Sequence, residues 1–156
     1  MTRGGWAREC AGVFFLGVAA WVLLSGVSKL QDLSMFERAL RSHDVLAAVW
    51  VRPAVIGVPS IELAVGVFAV FAALTPRVRW AAWSLGVLML ALTAYVGLVW
   101  LNPPPAGTTC GCGISNAPVE SWGLIVSRNA MLASLLIAIG LMVGRSAHTE
   151  PEASTR

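Results

Sequence analysis

The chain has 156 residues, of which 57% are hydrophobic and only 12% are charged. A soluble domain would carry about 25% charged residues, so the composition is typical of a membrane protein. The net charge is +3, but the basic residues stand singly at the ends of apolar segments, as they do in membrane proteins. This distribution argues against nucleic acid as a partner and indicates membrane lipid instead.

Four apolar segments are long enough to cross a bilayer, which takes about 20 helical residues. They cover residues 11–28, the segment between Arg52 and Arg77, 80–101 and 121–144. The first also resembles a secretory signal peptide, but no A-x-A-like cleavage site follows it, so we keep it as a span. We predict an all-α fold, an integral membrane four-helix bundle over residues 11–144. A cytoplasmic N-terminal tail (1–10) and a disordered cytoplasmic tail (145–156) would flank it.

The connection between the first two spans has a helical pattern of its own. Ser34-Met-Phe-Glu37 has the spacing of a capping box, and Leu33, Phe36 and Leu40 recur at helical spacing. We predict a short amphipathic interfacial helix that covers the mouth of the bundle. An ordinary amphipathic linker is the alternative.

The short connections predict the orientation of the chain. Arg77 and Arg79 lie between the second and third spans, whereas residues 102–120, between the third and fourth, contain no lysine or arginine. Because cytoplasmic connections are rich in basic residues, we expect both termini, and Cys10 near the first of them, on the cytoplasmic side. Residues 102–120 then face the oxidising side of the membrane.

Two cysteines, Cys110 and Cys112, lie in this outer connection, and Gly111 and Gly113 give their backbone the freedom for a sharp turn. A disulfide ring this small is strained, which favours exchange over a structural role. A structural clip is one alternative, although a ring this small removes little chain entropy and so stabilises the fold only weakly. A metal site is another, but only His43 would add a ligand on that side, so we expect no metal.

Three charged residues of the spans are expected at similar depth in the outer half of the membrane. Pro53 and Pro59 are expected to break the second span, and Glu62 follows the second proline by three residues. Arg128 lies about 9 Å below the outer boundary of the fourth span, and Lys29 ends the first span.

A lone charge in mid-bilayer costs roughly 2.5–3.5 kcal/mol, so we expect Glu62 to face either Arg128 or Lys29 across the bundle. Such a pair can simply fix the register of the helices. The thiol pair on the same side favours a functional interpretation, in which Lys29, Glu62, Arg128 and Asn129 form a polar pocket.

Several motifs together resemble the MauE family of the DoxX-like membrane proteins. The motifs are Ser28-Lys29-Leu30 with Phe36 and Ala39-Leu40-Arg41, Pro59-Ser-Ile-Glu62-Leu63 with Gly66, Cys110-Gly-Cys112-Gly113, and Trp122-Gly with Arg128-Asn129-Ala-Met-Leu132. The resemblance covers residues 12–141. One departure is Gly113-Ile114, where family members usually have Phe-Gly after the second cysteine.

The resemblance implies a four-helix protein of the bacterial cytoplasmic membrane. The name-giving members of the family are needed to mature methylamine dehydrogenase, whose small subunit is periplasmic and rich in disulfides. Related DoxX proteins are linked to quinone-dependent oxidation. The expected cofactor is therefore a quinone, and the expected partner is a periplasmic thioredoxin-like or dehydrogenase maturation protein.

We therefore expect a membrane thiol-disulfide redox protein that exchanges electrons between a periplasmic partner and the quinone pool. Cys110 and Cys112 would be the redox pair, and Lys29, Glu62, Arg128 and Asn129 would bind the quinone. The second hypothesis is a non-enzymatic membrane assembly factor, in which the cysteine pair is only a structural clip. The third hypothesis is a small-solute transporter, and the absence of clear repeats among the short spans argues against it.

Overall fold

A computed structural model describes residues 3–75, 77–105, 108, 110 and 121–146, and these residues contain five helices. The helices are α1 (Arg3–Gln31), α2 (Leu33–Ser42), α3 (Ala48–Ala73), α4 (Val78–Leu101) and α5 (Trp122–Ser146). Four contain stretches long and apolar enough to cross a membrane: Cys10–Gln31, Ala48–Ala73, Val78–Leu101 and Trp122–Val143. The predicted all-α bundle, with a short helix between the first two spans, is confirmed.

The helix ends differ from the predicted domain boundaries at both ends of the bundle. Helix α1 begins at Arg3, so residues 3–10 of the predicted N-terminal tail continue the first helix. Helix α5 continues to Ser146. The rest of the predicted C-terminal tail, residues 147–156, lies outside the described residues.

Helix α3 is continuous, and the prediction that its prolines break it is wrong. Pro53 and Pro59 both lie inside the helix. Each proline removes one backbone hydrogen bond, but side-chain hydroxyls and neighbouring helices tolerate such gaps inside membranes. The 26 residues of α3 span about 39 Å at 1.5 Å per residue, so its outer end extends beyond the hydrocarbon core.

Helix α2 begins two residues earlier than the predicted capping box. Its N-cap is Asp32, whose Oδ1 accepts a hydrogen bond from the backbone N–H of Met35 at 2.8 Å. Ser34, predicted as the cap, donates its hydroxyl to the same Oδ1 at 2.8 Å. Glu37 accepts from Arg41, one turn ahead, instead of reaching back to the cap. The carboxylate of Asp32 accepts both of these hydrogen bonds. Its negative charge also interacts favourably with the positive end of the helix dipole, so Asp32 rather than Ser34 is the N-cap.

The four long helices pack in the order α1, α3, α4, α5, and the remaining gap lies between α5 and α1. Phe15, Leu85 and Leu136 are fully buried in the core that these helices share. Helices α1 and α3 approach closely at Gly26, where an added Cβ would lie 3.2 Å from the carbonyl oxygen of Pro59. This close approach brings the C-terminal part of α1 against the middle of α3.

Helix α2 covers the outer end of α1. Its buried residues Phe36 and Leu40 pack against Val51 and Val55, in the part of α3 that extends past α1. The amphipathic helix therefore occupies the mouth of the bundle, as its pattern indicates.

Candidate functional site

A buried ion pair joins α1 to α3 near the end of the bundle that carries α2. The ammonium of Lys29 donates to Oε1 and Oε2 of Glu62 at 2.8 and 2.7 Å, and to the hydroxyl of Ser25 at 2.6 Å. Lys29 is 5% exposed and Glu62 is 1% exposed. An ammonium has three protons, and these three acceptors use all of them. The pair is thus fully hydrogen-bonded, as a buried charge pair must be to persist in a low-dielectric environment.

The local sequence explains why these two residues meet. Gly26 lets α1 approach the backbone of α3 at Pro59. The side chain of Lys29 reaches back along α1, where its ammonium bonds to Ser25 one turn earlier and to Glu62 on α3. From the other side, the ring of Phe36 on α2 lies 5.8 Å from the Lys29 ammonium. Helix α2 therefore helps to bury the pair at this end of the bundle.

The structure decides between the two predicted partners of Glu62. The partner is Lys29, and neither a hydrogen bond nor an ion pair links Glu62 to Arg128. Arg128 instead stacks on Trp21 of α1, with its guanidinium carbon 4.9 Å from the ring centroid. Its Nε and Nη2 also lie 3.4 Å from Oδ1 of Asn129, which is long for a hydrogen bond.

The four predicted pocket residues lie close together, but they play different structural roles. A cleft in the gap between α1 and α5 is lined by residues of four helices: Val18, Trp21, Val22, Ser25, Glu62, Met89, Leu92, Arg128, Asn129 and Leu132. Lys29 lies behind this lining, bonded to Glu62. The cleft is narrow. Its cavity volume is about 20 Å³, which is room for about one ordered water.

The cysteine loop starts and ends on the same side of the bundle as α2. Helix α4 ends at Leu101 and α5 begins at Trp122, and Trp122 contacts His43 directly after α2. Cys110 is described and is partly buried. Cys112 and the two flanking glycines lie outside the described residues, so the predicted disulfide remains a prediction.

A second buried cluster surrounds His43, which the sequence suggested only as a remote metal ligand. His43 is 2% exposed, and its Nδ1 lies 2.6 Å from the hydroxyl of Tyr95 on α4. Its ring meets the ring of Trp122 edge-on at 5.4 Å. The cluster links the end of α2 to the two helices that hold the cysteine loop. Among the described residues, no three His, Cys, Asp or Glu side chains group to bind a metal.

These features define a class: a four-span membrane protein with a buried ion pair beside a narrow, mostly apolar cleft that Arg128 and Asn129 also line. The chain matches the profile of the family described as "Methylamine utilisation protein MauE" over residues 8–143. It therefore belongs to the MauE family, as its motifs indicate. Neither a curated protein nor a solved structure matches it.

Proposed function

We propose that the protein is a membrane thiol-disulfide redox protein that serves the maturation of exported, disulfide-containing proteins. Its family is linked to methylamine utilisation. The observation that supports the proposal best is the cleft between α1 and α5, in which Arg128 and Asn129 offer N–H donors within a mostly apolar lining. A redox pair and a site for an electron carrier would thus lie on one side of the membrane.

The proposed exchange balances in atoms and electrons. When the Cys110–Cys112 disulfide reacts with a partner dithiol, a partner thiolate attacks one sulfur and forms a mixed disulfide. The second partner thiolate then attacks its own bridged sulfur and releases Cys110 and Cys112 as thiols. The partner loses two electrons and two protons, and the cysteine pair gains them. The reverse sequence transfers electrons to a partner disulfide.

The cysteine pair must pass these electrons on, and a quinone is a lipid-soluble carrier that takes up two electrons and two protons. The residues of the cleft fit such a group by their chemistry, because the side chains of Arg128 and Asn129 offer N–H donors to carbonyl oxygens. Asn129 is 5% exposed and lies in the wall of the cleft. The proposal therefore assigns Arg128 and Asn129 to quinone binding.

Lys29 and Glu62 receive a different role in this proposal. The ammonium of Lys29 is already saturated by Glu62 and Ser25, so it has no proton left to donate to a ligand. The pair fixes α1 against α3 and presents a polar but internally neutralised wall to the cleft. The positive charge that faces a ligand is that of Arg128.

The proposal places the protein in the bacterial cytoplasmic membrane, with both termini cytoplasmic and the cysteine pair periplasmic. A membrane-impermeant maleimide tests this orientation in reduced spheroplasts. It should label Cys110 and Cys112 but spare Cys10. Labelling of Cys10 alone would reverse the orientation.

Trapping of a mixed disulfide tests the redox chemistry itself. In Cys112→Ser or Cys110→Ser, the remaining thiol can bond to a partner but the product cannot resolve. Non-reducing gels of membranes should then show a reducible adduct with a periplasmic thioredoxin-like or maturation protein. The double variant should show no adduct and should abolish maturation of the exported protein.

The assembly-factor hypothesis makes the opposite prediction. If the cysteines only clip the loop, both single variants should support maturation nearly as well as the wild type, and neither should form an adduct. Normal maturation by the Cys110→Ser/Cys112→Ser double variant would refute the redox proposal.

A further inference from the structure

The side chains of Trp21 and Arg128 close the gap between α1 and α5. The distance of 4.9 Å between the guanidinium carbon and the ring centroid is that of a cation–π contact. Both side chains are exposed on the flank of the bundle, whereas Glu62 on the opposite wall is buried. The Trp21–Arg128 contact therefore separates the cleft from the lipid around the bundle.

The N–H donors of Arg128 and Asn129, which lie behind this contact, make few strong hydrogen bonds. Arg128 has no carboxylate partner among the described residues, and its contacts to Asn129 are both 3.4 Å long. An arginine in a membrane span usually pairs with an acid or faces an aqueous cavity. Here the guanidinium and the Asn129 amide remain available to a ligand that offers acceptor oxygens.

The cleft has too little space for such a ligand while Trp21 is in place. About one water fits, which excludes any six-membered ring. Val18 and Val22 are packed in the core, and Glu62 is bonded to Lys29. Moving any of these three side chains to enlarge the cleft would break core packing or the ion pair. Trp21 is the wall residue whose side chain can rotate outwards into lipid, where an indole is well tolerated.

We propose that Trp21 is the gate of the cleft. Its indole leaves Arg128 when a planar, lipid-soluble ligand with carbonyl oxygens, of the quinone class, enters sideways between α1 and α5. The guanidinium then exchanges its contact with the indole for contacts with the ligand. The identity of the ligand rests on the function proposed above, whereas the lateral entrance and the gate rest on the Trp21–Arg128 contact and the narrow cleft.

Binding of decylubiquinone to the protein in phosphatidylcholine nanodiscs tests the gate. Trp21→Ala removes the indole that must move, so it should bind the quinone about twofold to thirtyfold more tightly, the range that corresponds to a lost cation–π contact. Trp21→Phe should fall between wild type and Trp21→Ala. Trp50→Ala is the matched control, because Trp50 is also exposed but lies on the outer end of α3; its affinity should equal that of the wild type.

A spectroscopic measurement follows the indole directly. In protein labelled with 5-fluorotryptophan, the ¹⁹F resonance that Trp21→Phe deletes should shift when decylubiquinone is added, and the resonance of Trp50 should not. An unmoved Trp21 resonance while quinone binds would overturn the gate, as would equal or weaker binding by Trp21→Ala. A shift that phosphatidylglycerol nanodiscs produce without quinone would assign the cleft to an anionic lipid and would also overturn it.

The experiment separates the gate from the proposed function. If the wild type and Trp21→Ala both fail to bind quinone, the gate and the quinone assignment fall together, but mixed-disulfide trapping would still support thiol exchange. If quinone binds and moves Trp21 while the cysteine variants mature exported proteins normally, the gate stands and the redox proposal fails.

Discussion

The pairing of Lys29 with Glu62 predicts strong energetic coupling between the two residues. Glu62→Gln leaves a buried ammonium without its counter-charge, and Lys29→Gln leaves a buried carboxylate. Removing one partner of a buried pair costs about 3–5 kcal/mol, and both residues are at most 5% exposed. The double variant Lys29→Gln/Glu62→Gln leaves two neutral amides, so its loss should be well below the sum of the single losses. We expect a coupling energy of at least about 2 kcal/mol.

Reversible unfolding in mixed detergent micelles measures this coupling energy. Two further double-mutant cycles serve as controls. Glu37 and Arg41 are also separated by 2.6 Å, but their side chains are 34% and 51% exposed, so their coupling should be below about 0.5 kcal/mol. Glu62 and Arg128 line the same cleft but share no ion pair, so their coupling energy should be clearly smaller than that of Lys29 and Glu62. Additive losses for Lys29 and Glu62, or larger coupling of Glu62 to Arg128, would refute the pairing.

Three further predictions concern the packing around the site. Gly26→Ala should destabilise the protein, because the new Cβ meets a backbone oxygen at 3.2 Å, whereas Gly17→Ala, with open space around it, should be neutral or slightly stabilising by thermal unfolding. Tyr95→Phe removes the hydroxyl bonded to buried His43 and should cost about 1–3 kcal/mol in the same assay; an unchanged melting temperature would contradict this. The Met35 N–H and Ser34 hydroxyl lower the pKa of Asp32 from 3.8, so its contribution to α2 is complete above that value and is lost as the pH falls through the lowered pKa. Amide exchange in α2 should accelerate in that range for the wild type but not for Asp32→Asn, whose amide oxygen still caps the helix.

The four spans could be predicted because a run of about 20 apolar residues has one main physical explanation in a chain with so little charge. The partner of Glu62 could not be chosen, since Lys29 and Arg128 lie at similar depth. Helices that are apolar on every side give no indication of which face meets which neighbour. The choice depends on the close approach at Gly26, which is a property of packing.

The continuity of α3 and the cluster around His43 could not be predicted from the sequence either. Whether Pro59 breaks a helix depends on what its neighbours offer to the freed carbonyl group. His43, Tyr95 and Trp122 come from three distant segments, and only their assembly in the bundle shows that the histidine is buried. The one signal available was a histidine directly after the amphipathic helix, in a chain with a single tyrosine.

The most direct test of electron exchange between the cysteine pair and quinone uses reduced protein in liposomes. A Cys10→Ser background leaves Cys110 and Cys112 as the only thiols. Free thiols and quinone absorbance are followed together after a quinone is added. If the pair reduces quinone, two thiols should disappear for each quinone reduced, and Cys112→Ser should prevent both changes. Thiols that stay reduced in the presence of quinone, or that are lost equally fast without it, would contradict the claim that this pair exchanges electrons with the quinone pool.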